Sequence, residues 1–122
     1  MDKREKLDVV FSKYIRLRDC PNGIGHCITC GAAITPNNCD AGHYISRRKT
    51  ATRWNEANVH AQCYKCNRHE YGQVEKFRIA LIAKYGLAVV EELENISKNT
   101  VRLRDGDYNK LIDYYQLKLK QI

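Results

Sequence analysis

A small α+β domain built around a metal is the fold class this sequence predicts, and three observations predict it. Two Cys-x-x-Cys pairs, Cys27/Cys30 and Cys63/Cys66, have the spacing of a tetrahedral thiolate site. Helical periodicity precedes the first pair and follows the second, whereas the stretch between them reads as two short strands joined by a polar loop. A length of 122 residues leaves room for one small domain with an appended helical element and no second enzyme domain. The expected organisation is therefore a single domain over 1–122, with an N-terminal helix over 1–20, a zinc-bound core over 25–86 and a helical part over 87–122.

Leu7, Val10, Phe11, Tyr14, Ile15 and Arg18 fall at helical spacing, and Pro21, Asn22 and Gly23 end that first helix. The segment from Gly25 to Pro36, short and built round the first cysteine pair, is expected to be a zinc knuckle. Asp40–Ile45 and Ala57–Ala61 are expected as strands, with the polar, basic segment between them as a loop. After Cys66, the repeat of Val74, Phe77, Leu81, Ile82 and Tyr85 predicts a helix closed by Gly86. Leu87–Ile96 predicts a shorter helix. A last one is expected to start at Asp107 as N-cap and to place Leu111, Ile112, Tyr115, Leu119 and Ile122 on one packing face.

Composition narrows the function classes. The hydrophobic share of 43% and the charged share of 29% are those of an ordinary globular protein. The longest apolar runs are too short to span a bilayer, and the charged start MDKREK lacks the apolar core of a signal peptide, so an intracellular protein with no membrane partner is expected. In that setting the six cysteines are expected to be reduced and metal-binding. Cys20 and Cys39 fall outside the paired spacing and receive no role. The excess of 21 Lys and Arg over 14 Asp and Glu gives a formal charge of +7, which favours a polyanionic partner. Arg47, Arg48, Lys49 and Arg53 cluster just after His43, beside Trp54, as expected of a loop that grips phosphates.

The gap between Cys30 and Cys63 exceeds the roughly 15–20 residues of a plain zinc ribbon. Four thiolates close a tetrahedral site and leave no open position, so the zinc is expected to be structural and the chemistry to lie between the pairs. Strand, loop, strand and helix with a metal at the junction is the ββα-metal layout of HNH nucleases, a treble-clef-like core. Phosphodiester hydrolysis needs an activated water, charge neutralisation at the phosphate and help for the departing 3′ oxygen. His43 is expected to be the general base. Asp40 and Asn67 offer oxygen ligands suited to Mg or Mn. Asn58 is expected to pin the loop so that His43 is aimed correctly, because an amide both donates and accepts.

The segments YIRLRD (Tyr14–Asp19), CITCG (Cys27–Gly31), DAGHYISR (Asp40–Arg47), RWNEANVHAQCYKCN (Arg53–Asn67) and FRIALIAKYG (Phe77–Gly86) together resemble the NinG, or Rap, recombination endonucleases of lambda-like phages. The resemblance runs from the first helix to about residue 96. It implies a structure-specific DNA endonuclease acting on branched recombination intermediates, Holliday junctions and D-loops, with a divalent metal. Carried over, it implies zinc at Cys27, Cys30, Cys63 and Cys66 and a catalytic His43. The usual HNH pattern has Asp directly before the His; here Ala41 and Gly42 intervene, and Asp40 is the nearest candidate for the first metal ligand. Asn67 matches the last HNH position, with His69 and Glu70 as further contributors to test. His60 and Gln62 share the Asn58 face of their strand and receive no catalytic role. The expected location is the cytoplasm of the host cell.

Two other readings stand beside it: a zinc-stabilised DNA-binding module without catalysis, which accounts for the charge and the cysteines but leaves Asp40, His43, Asn58 and Asn67 unexplained, and an HNH nicking nuclease acting on linear duplex. A zinc deaminase is excluded, because the chain has neither H-x-E nor P-C-x-x-C. Two symmetric cuts in a four-way junction call for two sites, which a homodimer would supply.

Overall fold

The computed structural model describes all of residues 1–122. Helix α1 (Lys3–Asp19) forms where the sequence places Leu7, Val10, Phe11, Tyr14 and Ile15 at three- and four-residue spacing, and all five are buried. Asp2 caps it, its carboxylate accepting from the Glu5 backbone N–H at 2.8 Å. A single 3₁₀ turn, Pro21–Gly23, ends it. Strands β1 (Gly25–His26) and β2 (Ala33–Ile34) pair antiparallel around the first cysteine pair. A second antiparallel pair, β3 (Cys39–His43) and β4 (Val59–Cys63), sets Cys39 opposite Cys63, Asp40 opposite Gln62 and His43 opposite Val59. The connection between them contains one helical turn, α2 (Thr50–Arg53). A π turn at Lys65–His69 leads out of β4, and α3 (Val74–Tyr85), α4 (Leu87–Ile96) and α5 (Asp105–Lys120) follow.

Four details differ from the sequence expectation, each for a physical reason. The strands are shifted towards Cys39 and Cys63, because beyond His43 the Asn58 side chain takes over the bonds to Ile45 that a ladder would make. The expected loop turns helical at α2 because Thr52 is drawn into the interior, where it is fully buried. Asp107 is not the N-cap of α5: it sits at the third helical position and its carboxylate accepts from the Arg104 backbone N–H at 2.9 Å, a capping-box arrangement with Arg104 at the cap. Ile122 lies past the end of α5 and is 63% exposed, and Val74 at the start of α3 is 50% exposed, so neither belongs to its expected packing face.

The core is divided. Leu7, Val10, Phe11, Tyr14 and Ile15 of α1 meet Val59 of β4 and Tyr115 of α5. Tyr115 anchors α5: its ring lies edge-on to Phe11 at 4.9 Å, and its hydroxyl donates to Glu56, which also accepts from Tyr14. A second cluster joins Cys20, Ile34, Cys39 and Ala61. A third joins Phe77 and Leu81 of α3 to Val90 of α4.

Alternation along β4 sends Val59 and Ala61 towards the apolar clusters, and Asn58, His60 and Gln62 to the other face, yet all five are buried. His60 is 1% exposed, with Nε2 2.8 Å from the Tyr85 hydroxyl and Nδ1 without a partner. Burial, helped by the charges of Arg18 and Lys84 and opposed by Asp19, pushes its pKa down to about 4. The unfolded chain, with a His pKa of about 6.5, therefore binds the extra proton first as pH falls. Folding stability is full above about pH 6.5 and is lost between there and about pH 4, by on the order of 3 kcal/mol. Melting of the protein between pH 7 and pH 4.5 should show this decline, and His60→Gln should flatten it; an unchanged slope in the variant would place the acid sensitivity elsewhere.

Candidate functional site

The four thiols of the paired motifs come together although a long segment separates the pairs. The sulfurs of Cys27, Cys30, Cys63 and Cys66 all lie within 4.8 Å of one another. Cys30 and Cys63 sulfurs are 3.7 Å apart, against about 3.8 Å for the edge of a tetrahedron with Zn–S bonds near 2.3 Å. Backbone N–H groups of Ala32 and Cys66 point at the Cys30 and Cys63 sulfurs, at 3.5 and 3.4 Å, which stabilises negative sulfur. The donor set and its spacing fit a structural metal such as zinc. Cys20 and Cys39 stand apart from it in their own buried cluster.

Asn58 is fully buried and holds the connection between β3 and β4. Its Oδ1 accepts from the Ile45 N–H at 2.8 Å, and its Nδ2 donates to the carbonyls of Ile45 and Thr52 at 3.0 and 3.1 Å. With no exposed surface, Asn58 acts through the loop and not by touching a bound molecule. What it fixes is the turn that carries Arg53, whose carbonyl lies 2.9 Å from Nε2 of His43. A carbonyl only accepts, so Nε2 carries the proton and Nδ1 carries the lone pair, free of any partner in the protein. Burial holds the His43 pKa below its ordinary value, with the Arg47 and Arg53 charges acting in the same sense and the Arg53 carbonyl and Asp8 opposing. An imidazole so placed is neutral at physiological pH, with the Nδ1 lone pair open to accept a proton.

Asp40 and Asn67 meet at the far end of the hairpin, the Asn67 amide donating to Asp40 Oδ2 at 2.9 Å. Arg68 grips the same carboxylate with both arms, 2.8 Å to each oxygen, while its guanidinium lies 3.9 Å from the centre of the Tyr64 ring. Burial opposes ionisation of Asp40, but the Arg68 and Asn67 bonds and the Arg68 charge outweigh it and hold the carboxyl below its ordinary value. Two residues along β3 from Asp40, Gly42 makes room for Gln62: a Cβ there would run into the Gln62 side chain. His43, Asp40 and Asn67 all line one open cleft of about 690 Å³ whose other wall is α1, through Val9, Phe11 and Ser12.

The basic cluster divides. Arg48 and Lys49 are exposed. Arg53 is not: its side chain is 13% exposed and both guanidinium arms go to Asp8. Of the cluster expected to grip phosphate, Arg53 is thus held against Asp8, while Arg48 and Lys49 are presented to solvent. Arg47 and the Trp54 indole N–H bond to the same carboxylate, each at 3.0 Å, although Arg47 stays 62% exposed. His69 is exposed, and Glu70 pairs with Lys65 at 3.5 Å. Neither lines the cleft. Sequence reading missed Asp8, Arg68 and Tyr71, which do. Asp8 sits on the polar side of an amphipathic pattern and carries no local signal.

Comparison with known proteins adds a family. Residues 2–122 match the family model described as Bacteriophage Lambda NinG protein. The chain is 38% identical to Protein ninG of Salmonella phage P22 and to Protein ninG of Escherichia phage lambda, each over 111 residues making up 88% of this chain and 50% of the relative. Protein ninG of Escherichia phage 933W is 37% identical over the same lengths. The chain belongs to the NinG family, and it spans about half the length of the curated relatives it matches. No solved structure matches it.

If the thiolate cluster is a structural zinc site, metal binding is folding free energy. Elemental analysis should find about one zinc per chain, and Cys63→Ser or stripping with a strong chelator should unfold or aggregate the protein. A metal-free preparation with unchanged circular dichroism and melting would remove zinc from the fold.

Proposed function

We propose that this NinG family chain is an HNH-type, metal-dependent DNA endonuclease that cuts branched recombination intermediates such as Holliday junctions and D-loops. The observation that carries the reading is the convergence of His43, Asp40 and Asn67 on one cleft, beside an exposed basic loop. In this reading β3, β4 and the turn after Cys66 form a ββα-metal core. His43 Nδ1 takes the proton of the attacking water, and the Arg53 carbonyl on Nε2 stabilises the imidazolium that results. Asp40 and Asn67 would hold a Mg or Mn ion, hard oxygen donors for a hard cation. Bound there, the ion would supply charge neutralisation at the phosphate and at the leaving oxygen. An ion there would repel the Arg68 guanidinium, whose side chain is 55% exposed and would swing towards solvent.

Cleavage of matched linear, forked, D-loop and four-way DNA with Mg, with Mn or with neither added tests the proposal. Metal-dependent cutting with branched DNA preferred is the expected result. Equal rates on linear duplex would leave a general HNH nicking enzyme, and binding without cutting would leave a zinc-stabilised DNA-binding module. His43→Ala should keep DNA binding and lose about 100- to 10,000-fold in rate; near-normal cutting would mean that the base lies elsewhere.

The divided basic cluster gives a second test. Arg48→Ala with Lys49→Ala should weaken binding to all sequences alike and flatten the salt dependence, the slope falling by about one for each phosphate no longer neutralised. Arg53→Ala should instead lower the melting temperature, because it leaves Asp8 partly buried without its main partner. The reverse pattern would restore Arg53 as a phosphate ligand.

A further inference from the structure

Tyr71 is 93% exposed, more than any other large apolar side chain of the molecule, and it lines the same cleft as His43 and Asp40. Its backbone is strained. Tyr71, Gly72 and Gln73 have φ of 55°, 83° and 51°, three successive left-handed residues of which only the middle one is glycine. L-residues with a bulky side chain rarely adopt this region, and such outliers persist only where their surroundings over-determine them.

The surroundings here do so. Gly72 N–H donates to the Cys66 carbonyl at 2.8 Å, and Gln73 N–H to the Glu70 carbonyl at 3.1 Å. The Gly72 carbonyl accepts from Nε2 of Gln62 at 2.7 Å, a fully buried side chain that also bonds Thr29 at 3.1 Å. The Gln73 side chain is tied back to Glu70. The loop is thus clamped to β4 and to the thiolate cluster, while the ring it presents packs against almost nothing. An aromatic side chain held rigidly into solvent forgoes its burial free energy, so neither packing nor backbone preference accounts for it.

We propose that Tyr71 is a stacking platform for an unpaired base of bound DNA, placed on the rim of the cleft to read the single-stranded or distorted character of a branch point. The inference rests on the DNA endonuclease reading and deepens it. Every base has a π-face, so stacking on one ring selects unpaired over paired nucleotides with little regard to sequence. Exposed Arg48 and Lys49 would hold the backbone without reading bases, which leaves discrimination to a group of this kind.

The experiment measures binding with no added Mg or Mn, so that cleavage plays no part and the four-cysteine site keeps its metal. DNA carrying 2-aminopurine in a short single-stranded gap, and the same sequence fully paired, are titrated with wild type, Tyr71→Phe, Tyr71→Ala and Tyr71→Gly. Wild type and Tyr71→Phe should quench the gap fluorescence. Tyr71→Ala should lose the quenching and bind gapped DNA about 5- to 150-fold more weakly, the range of a single base–aromatic stack, with duplex affinity unchanged. Tyr71→Gly should lose the same discrimination while melting at a higher temperature than wild type, since glycine relieves the left-handed strain; a ring kept for structural reasons would not give that split. Equal losses on gapped and paired DNA, or no loss on either, would overturn the platform. Failure of the endonuclease reading shows separately, as an absence of metal-dependent cutting by a wild type that still quenches.

Discussion

The meeting of Cys27 and Cys30 with Cys63 and Cys66 is the constraint from which the rest of the architecture is hung, because hydrophobic burial alone is spread too thinly to hold it. The apolar core is split into separate clusters on α1, at the hairpin end and under α3. The β1–β2 pair has only two residues in each strand, and an isolated two-stranded pair such as β3–β4 is marginal in water. A metal held by the four cysteines would fasten the first pair to the end of the second. It would also fix the π turn at Cys66, after which Asn67, the next residue, faces Asp40. A site made of Asp40 and Asn67 therefore inherits its geometry from the cluster, although the cluster takes no part in it.

Around that node, buried polar side chains supply the bonds that further strands would supply elsewhere. Asn58 provides those beyond the end of β3, and Asp19 accepts from the Ala61 N–H at 2.8 Å on the outer edge of β4. Arg18 pairs with Asp19 and also donates to the Val59 carbonyl at 2.8 Å. The open edge of β4 is in this way covered by the C-terminal end of α1. Asp8, about three turns of helix earlier, gathers Arg47, Arg53 and Trp54. Helix α1 thus carries both the apolar face that makes the core and the carboxylates that position the loop before β4.

The parts of this arrangement that were legible in the sequence are those written in local pattern. Helical spacing located all three long helices and the short one after Gly86, and cysteine spacing located the thiolate cluster. Asp40, His43 and Asn67, singled out by their order along the chain, line one cleft, while Asn58 lies buried behind it and holds the loop through its amide. What local pattern does not encode is which charge a charge will meet. Arg53 and Arg48 look alike in sequence, and only the arrival of Asp8 from α1 buries one and leaves the other exposed. Likewise nothing in the run Glu70-Tyr71-Gly72-Gln73 announces left-handed backbone at three positions, since a Gln62 bond from across the hairpin enforces it.

Arg68, just past Cys66, is held by the same node. Its guanidinium neutralises the one cleft carboxylate that faces Asn67, and Tyr64 supports it from behind at 3.9 Å. A guanidinium on both carboxylate oxygens repels a divalent cation brought to the same group, so under the proposed function Arg68 would shift off Asp40 as the ion binds. Arg68 lines the same cleft, so on that reading its freed charge would face an incoming phosphate. On that reading Asp40 would carry arginine in the free protein and the metal in the complex, with the arginine on phosphate. A lysine in its place would lack both the planar two-pronged fit to the carboxylate and the flat stack on the tyrosine, and would hold neither position as well.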